Sequence, residues 1–442
     1  MPTLHGQAIH HQLPADFAKH PNTPWDALRS IHVDPFIISI DSFSAATNVW
    51  SVDVDGIKLV TSLQPLLPGD ILTRRAKGIF SVEHSLLIIA FDVPSNSTLP
   101  EKYHGGVIRA YNVPSGTLLQ EVVLHGLALD QVFTASPSST YLAAALSRPT
   151  QIALYQIHSQ GLTELQRFTP PSLIPGLESF FPVHVGDDGA VLASSTAVPS
   201  PTLPLSLYLP TATSTDTREA TLTLSDDTLD WLVPSGAVLT SSSSLVVAVS
   251  GTASTYDHRY TKSSVYALSL PSLSTTWKLD LEHGVTQLSY HSALGVVVAV
   301  HADSHHATLT LIDAQNGGIR RIVTLPPFPD TPHVPPRVRC TNKDEFVCVL
   351  PTGKLFVEPL RQILESGLSE DAQEKRTSSG EREDEGEEVV LKMQSAPVNP
   401  EPLNAKARKA GERWRWVDNA VLVPSGVVLL PIRGPEMFYV RW

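Results

Sequence analysis

Cysteine is almost missing from this chain, with two in 442 residues. That excludes a disulfide framework. Cys340 and Cys348 fall in one predicted hairpin and read as reduced thiols of the interior, with no CxxC spacing to make them a redox pair or half of a metal site. Charge is also scarce, at 17% of residues, and its balance is acidic, with a formal net charge of -12. Phosphate contact is driven by Lys and Arg, so no nucleic acid is expected among the partners. No apolar run approaches the ~20 residues of a membrane span, the longest lying near Leu294–Val300. The N-terminus, MPTLHGQAIHHQLPADF, has no charged region followed by an apolar stretch and does not read as a secretory signal. These absences predict an intracellular protein, cytoplasmic or nuclear, that does not enter a membrane. In that setting the Asn96-Ser97-Thr98 sequon is a chance match in a loop. Three catalytic signatures are absent too: the G-x-S-x-G elbow, the GxxxxGK[ST] phosphate loop and GxGxxG.

Short apolar runs broken by turn residues are what the chain does have. Proline numbers 36, and Ser, Thr and Val are abundant while helix formers are few outside one segment. The stretch Gly106–Gly126 shows the unit. Val107, Arg109 and Tyr111 alternate with Ile108, Ala110 and Asn112, then Val113-Pro114-Ser115-Gly116 breaks the run, and Leu118–Leu124 resumes it. Alternation, a Pro- and Gly-containing turn and renewed alternation predict a β-hairpin. Related units begin near residues 28, 78, 129, 180, 229, 285 and 337. A period of about 50 in a strand-rich chain predicts the four-stranded blades of a β-propeller. The expected fold is therefore all-β: a seven-bladed, or eight-bladed, propeller of four-stranded antiparallel blades.

The units at 48–64, 106–124 and 307–325 resemble the last two strands of a WD-repeat, in which a dipeptide such as Trp-Asp ends one strand before a Gly turn. The dipeptide positions carry Val52-Asp53 or Ser51-Val52, Tyr111-Asn112 and Ile312-Asp313. No unit has Gly-His followed by Trp-Asp at the usual spacing, so the resemblance is to a degenerate WD-repeat-like propeller. It implies that fold and, by analogy of fold, a protein-binding scaffold.

Residues 1–24 are polar and read as a flexible N-terminal arm, or as a strand added late. Residues 25–442 read as one propeller domain with two interruptions. The first, 365–388, contains SEDAQEKRTSSGEREDEGEE and is an acidic segment with too little apolar surface to order itself. The second, 396–411, is a linker. Val389–Met393 is expected to return as the outer strand of the seventh unit. The terminal stretch echoes an earlier one: Val423-Pro424-Ser425-Gly426 repeats Val233-Pro234-Ser235-Gly236, and both are expected to be recurrences of the 114–116 turn. Either the arm completes this last sheet, giving eight blades, or 337–442 forms one irregular closing blade, giving seven.

The sequence is read as holding no cofactor, no metal and no catalytic set. His301, His305 and His306, with Asp303 between them, have the residue types that ligate zinc or copper. Their spacing suits a helix better than the loop predicted here, so they read as polar loop residues. Gly186-Asp187-Asp188-Gly189 reads as a hairpin turn, not a calcium loop. Candidate partner-binding residues are Tyr256, His258, Arg259 and Tyr260, in a long insertion of the fifth unit, and Trp414 and Trp416, which share one strand face near the end.

The reading that results is a non-catalytic scaffold, monomeric or part of a complex. It would present rim loops (94–105, 199–204, 251–262 and 301–306) and its acidic loop to protein partners. Two alternatives stand beside it. One is a propeller enzyme of lactonase or hydrolase type with a metal at the channel mouth. The other is a substrate receptor of a ubiquitin ligase, for which 360–388 is the only candidate helical adaptor segment.

Overall fold

The computed structural model describes residues 5–6, 28–33, 35–41, 47–53, 56–63, 76–91, 101–103, 105–124, 133–147, 150–170, 177–197, 202–209, 217–224, 231–252, 262–302, 307–324, 337–340, 345–349, 355–365, 388–390, 417–423, 426–431 and 438–441. Among the described residues the strands form eight sheets, six of four strands, one of five and one of three. Neighbours in sequence pair antiparallel, which makes each sheet a meander and the chain an all-β propeller.

The first sheet comprises Leu28–Val33, Phe36–Asp41, Thr47–Asp53 and Gly56–Leu63, and the second Ala76–Ser81, Leu86–Phe91, Val107–Asn112 and Leu118–Val123. The third is Phe133–Ala135, Tyr141–Ser147, Thr150–His158 and Gly161–Phe168, and the fourth Leu177–Val185, Val191–Ala197, Thr202–Tyr208 and Thr217–Thr223. The fifth is Trp231–Ser241, Ser244–Thr252, Lys262–Ser269 and Ser274–Leu281, and the sixth begins with Val285–His291, Val296–Ala302, Ala307–Asp313 and Ile319–Thr324. Arg337–Cys340, Glu345–Val349 and Leu355–Pro359 form the seventh; Cys348 lies opposite Val338 and Cys340 opposite Phe346. A helix, Leu360–Glu365, follows it. In the last sheet His5–Gly6 pairs with Phe438–Arg441, which pairs in turn with Gly426–Pro431. The N-terminal arm thus contributes a strand to the sheet made by the end of the chain.

The contacts divide the chain into two compact units: residues 1–199, 204–221 and 423–442, and residues 200–203 and 222–422. In the first, the predicted alternation of the 106–126 hairpin is realised. Val107 and Tyr111 pack with Val33, Ile38, Val49 and Leu63 of the first sheet. Ile108 and Ala110 pack with Leu142, Ala144, Ala153 and Tyr155 of the third. The second strand, Leu86–Phe91, is buried at every position and so reads as an unbroken apolar run, as a strand covered on both faces should.

One contact recurs between consecutive sheets. The turn joining a sheet's third and fourth strands rests on the fourth strand of the sheet before it. In the turn after Asn112, the Gly116 N–H donates to Asn112 O at 2.8 Å, and Gly116 has φ +72°. A Cβ there would lie 2.6 Å from Thr61 Oγ1 and Ser62 O on the first sheet. In the turn after Asp313, Gly317 has φ +75°, and a Cβ would lie 2.7 Å from Trp277 on the fifth sheet. The Trp277 indole N–H donates to Ala314 O in the same turn at 3.1 Å. Between the second and third sheets the Gln120 side-chain amide does the work of a strand partner. It accepts from the Leu162 N–H and donates to Leu162 O at 2.9 Å. The fifth sheet makes the same turn with Leu273 at φ +58°, a conformation unfavourable to a side chain, and its side chain is buried.

A second contact joins first-to-second-strand turns in the first unit. Ser138 donates from its N–H and its Oγ to Asp187 Oδ1, at 2.8 and 2.6 Å. Partial burial works against the Asp187 carboxylate, but these bonds hold it below the usual carboxylate range. Burial lowers the nearby His184, with Asp187 and Asp188 opposing.

Two expectations are corrected. Pro234-Ser235-Gly236 is not a hairpin turn like 114–116. It lies inside the eleven-residue strand Trp231–Ser241, where the register shifts between Pro234 and Gly236. The strand is the edge of its sheet, so Pro is tolerated, and the bulge absorbs the extra residue. Glu388–Val390, expected on the seventh sheet, instead pairs in parallel with Ile322–Thr324 as a fifth strand of the sixth.

The glycine contacts give a paired test. Gly295 has φ +62° with nothing within 4 Å of its Cβ position, so Gly295→Ala should cost only the left-handed backbone, about 1 kcal/mol. Gly317→Ala adds overpacking against Trp277 and should cost a further 1–3 kcal/mol or so, read as the difference in thermal midpoint between the two variants. The depressed His184 pKa means that the unfolded chain takes up that proton first. Stability contributed by the neutral ring is therefore present above about pH 6.5 and is lost as pH falls through the folded pKa. Thermal midpoints at pH 7.5 and 5.5 should converge in His184→Gln relative to the native chain. Asp187, whose own window lies below about pH 4, should leave that comparison unchanged.

Candidate functional site

The long connections fall mostly at one end of the sheets, although the second-to-third-strand turn of the third sheet, 148–149, is as short as any. First-to-second-strand and third-to-fourth-strand turns are tight, as at 34–35, 82–85, 113–117, 159–160, 242–243, 270–273, 292–295 and 314–318, with 209–216 the long exception. The opposite end carries second-to-third-strand segments such as 92–106 and 253–261, and sheet-to-sheet segments such as 64–75 and 325–336. Within the 92–106 segment, Glu101–Tyr103 is a 3-10 turn whose Tyr103 is buried in the core beneath it.

In the second unit, a line of polar groups sits at this longer-looped end of the fifth and sixth sheets. Ser235, pushed out of register by the bulge, has its Oγ 2.8 Å from Ser250 Oγ. Ser250 Oγ lies 2.7 Å from Ser263 Oγ and donates to Val285 O at 2.8 Å, while the Val285 N–H donates to Ser263 Oγ at 2.5 Å. Next to Val285, Gly284 O accepts from His301 Nδ1 at 2.7 Å. A carbonyl can only accept, so Nδ1 carries the proton, and the lone pair of the neutral ring is at Nε2. His301 stacks on His283, with ring centroids 4.6 Å apart.

This arrangement limits the chemistry. Ser250 and Ser263 are buried and spend their hydroxyls on the Val285 backbone, and His301 Nδ1 addresses the Gly284 carbonyl. That geometry locks one sheet to the next. The imidazole pair has the donor type and the backbone-oriented tautomer of a metal ligand set. Among the described residues, however, no group of three or more His, Cys, Asp or Glu converges on one point.

Of the residues singled out in the sequence, His301 is placed here. His305, His306, Tyr256, His258, Arg259, Tyr260, Trp414 and Trp416 lie outside the described residues. The sequence did not point to His283, Ser250 or Ser263. His283 is far from His301 along the chain, and serine is too common here for two of them to stand out. The WD-like dipeptides, by contrast, acquire roles. Tyr111 and Ile312 are core residues, and Asn112 and Asp313 cap the turns that follow. Partial burial works against the Asp313 carboxylate, but Arg320 and the Gln315 and Asn316 N–H groups hold it below its usual range.

In the first unit the buried charge is closed off. Arg109 is 3% exposed. Its Nε and Nη2 donate to Glu121 Oε2 at 2.8 and 2.6 Å, and its Nη1 to Tyr111 Oη at 3.4 Å. Burial pushes the Tyr111 phenol up, with Arg109 partly opposing.

No protein-family model matches the sequence, and no curated protein sequence is significantly similar. Two solved structures resemble it along its length. Sqt1 of Saccharomyces cerevisiae is 11% identical, with 94% of this chain and 97% of that one covered and a TM-score of 0.51. BamB of Moraxella catarrhalis is 10% identical, with both chains wholly covered and a TM-score of 0.51. At these identities the likeness is one of fold, the β-propeller. Among the described residues no helix is long and apolar enough to cross a membrane.

Ser263→Ala should leave the Val285 N–H buried without its acceptor and cost about 1–3 kcal/mol. Ser272→Ala, on an exposed turn, should stay within about 0.5 kcal/mol of the native chain by thermal denaturation.

Proposed function

We propose that this protein is a non-catalytic interaction scaffold, a degenerate WD-repeat-like propeller that engages protein partners through the long connections of its sheets. The observation that carries this reading is the difference between sheet ends. Apart from 209–216, the turns at one end run two to five residues, while long connections such as 64–75, 92–106, 253–261 and 325–336 belong to the other. Long loops cost little conformational free energy to close and tolerate varied sequence, so a rigid stack of strands displaying them at one end suits binding. The inward polar groups support the same reading. Arg109, Ser250 and Ser263 are committed to partners within the fold.

Replacing residues 253–261 by a short Gly-Ser linker should abolish capture of a defined partner in a pull-down and leave the thermal midpoint within a few degrees of the native value. Shortening the tight turn at 242–243 should lower the midpoint instead. Stoichiometric metal in the purified protein, with hydrolytic activity and no loop-dependent partner, would overturn the scaffold reading in favour of a propeller hydrolase.

A further inference from the structure

The fourth strand of the sixth sheet, Ile319–Thr324, carries an anomaly. Arg321 on this strand is 8% exposed. Its Nη1 donates to Leu364 O in the short helix at 3.4 Å, but Nε and Nη2 are buried with no hydrogen-bond partner among the described residues. Arg109 shows how this fold treats a buried guanidinium elsewhere, by giving it a carboxylate on the neighbouring strand. Arg321 has no such carboxylate among the described residues, and orphaned charged donors are costly enough that a site lacking one is incomplete.

The same strand is the last of the sheet's antiparallel meander, and it already accepts an added strand. Glu388–Val390 pairs with it in parallel, Ile322 opposite Glu388, Val323 opposite Val389 and Thr324 opposite Val390. Among the described residues the pairing begins one residue past Arg321, and none pairs with Ile319–Arg321 on that side. Ile319 is also among the exposed large apolar side chains.

The geometry points to this edge as a docking site for an extended segment of a partner protein, an acidic residue followed by β-branched residues. The segment would add as a strand along 319–324 and place its carboxylate on Arg321. In sequence, Glu387-Glu388-Val389-Val390 is the chain's own version of that pattern, and its Glu388–Val390 holds the edge until displaced. Main-chain bonds supply affinity in such β-augmentation, and the side-chain pairing supplies specificity, here a planar carboxylate on a guanidinium fork. This deepens the scaffold reading by naming one surface. It does not involve the 253–261 loop, so failure here and failure of the loop experiment are separately visible.

The probe is a fluorescent peptide with the sequence of residues 386–392, measured by anisotropy against the full chain. Alternate residues of a parallel strand bond to its neighbour, so Val389→Pro with Val390→Pro removes at least one bonded N–H and should vacate the edge. The double variant should bind the peptide at least tenfold more tightly than the native chain. Adding Arg321→Ala should weaken binding at least tenfold, and Arg321→Lys should restore part of it. A peptide with both glutamates replaced by Gln should show the same loss on the double variant, which keeps the test decisive if Arg321→Ala does not fold. Equal binding to native and double-variant chains, no binding to the double variant, or indifference to both Arg321→Ala and the Gln peptide would overturn the proposal. Concentration-dependent native dimers that the proline pair abolishes would assign the edge to a second copy of the chain and overturn the partner assignment.

Discussion

A turn without a side chain, seated on the outer strand of the preceding sheet, is the contact on which the rest of this structure depends. Two-stranded hairpins are marginal in water, and even a four-stranded meander has two apolar faces to cover. Leu86–Phe91, buried at every position, can exist only between two other sheets. The turns at Gly116 and Gly317 let backbone approach Ser62 and the Trp277 ring as closely as a Cβ would forbid. Where the chain uses other means, it still crosses at the same place. Gln120 bonds both backbone groups of Leu162, and Trp277 bonds Ala314 O.

The tight turns at this end are constrained by packing, and the long connections belong to the opposite end. The polar line from Ser235 through Ser250 and Ser263 to the Val285 backbone does at that second end what the glycine turns do at the first. Buried polarity in the described residues therefore serves mostly to hold register, Ser250 and Ser263 between sheets and Arg109 with Glu121 between two strands of one sheet. Among the described residues Arg321, with two donors unmet, departs from that rule.

Much of the architecture was legible in the sequence because strand patterning is local. The alternation Val107, Arg109, Tyr111 against Ile108, Ala110 assigns two faces, and those faces meet different sheets. The repeat spacing announced the meanders, and the echo near residue 424 marked a further sheet, to which His5–Gly6 adds a strand. What failed were inferences from a motif without its pairing. Pro-Ser-Gly makes a turn at 114–116, where both flanking strands belong to one hairpin, and a bulge at 234–236, where one strand runs through. Glu388–Val390 was assigned to the wrong sheet because three residues carry no register of their own. The polar cluster was illegible for another reason. His283 and His301 meet only because the first and second strands of the sixth sheet pair, and nothing in either residue's neighbourhood says so.

Amide hydrogen exchange read at single residues tests the dependence on turn-to-strand contact most directly. The Gly116 and Gly317 N–H groups close their turns against Asn112 O and Asp313 O and lie beneath the preceding sheet, while Gly295, whose N–H reaches Ser292 O at 3.3 Å, faces open space. Gly116 and Gly317 should exchange as slowly as the strands flanking them, through cooperative opening of the sheets, and Gly295 should exchange through local fluctuation at a much faster rate. Equal rates at all three glycines would contradict that dependence.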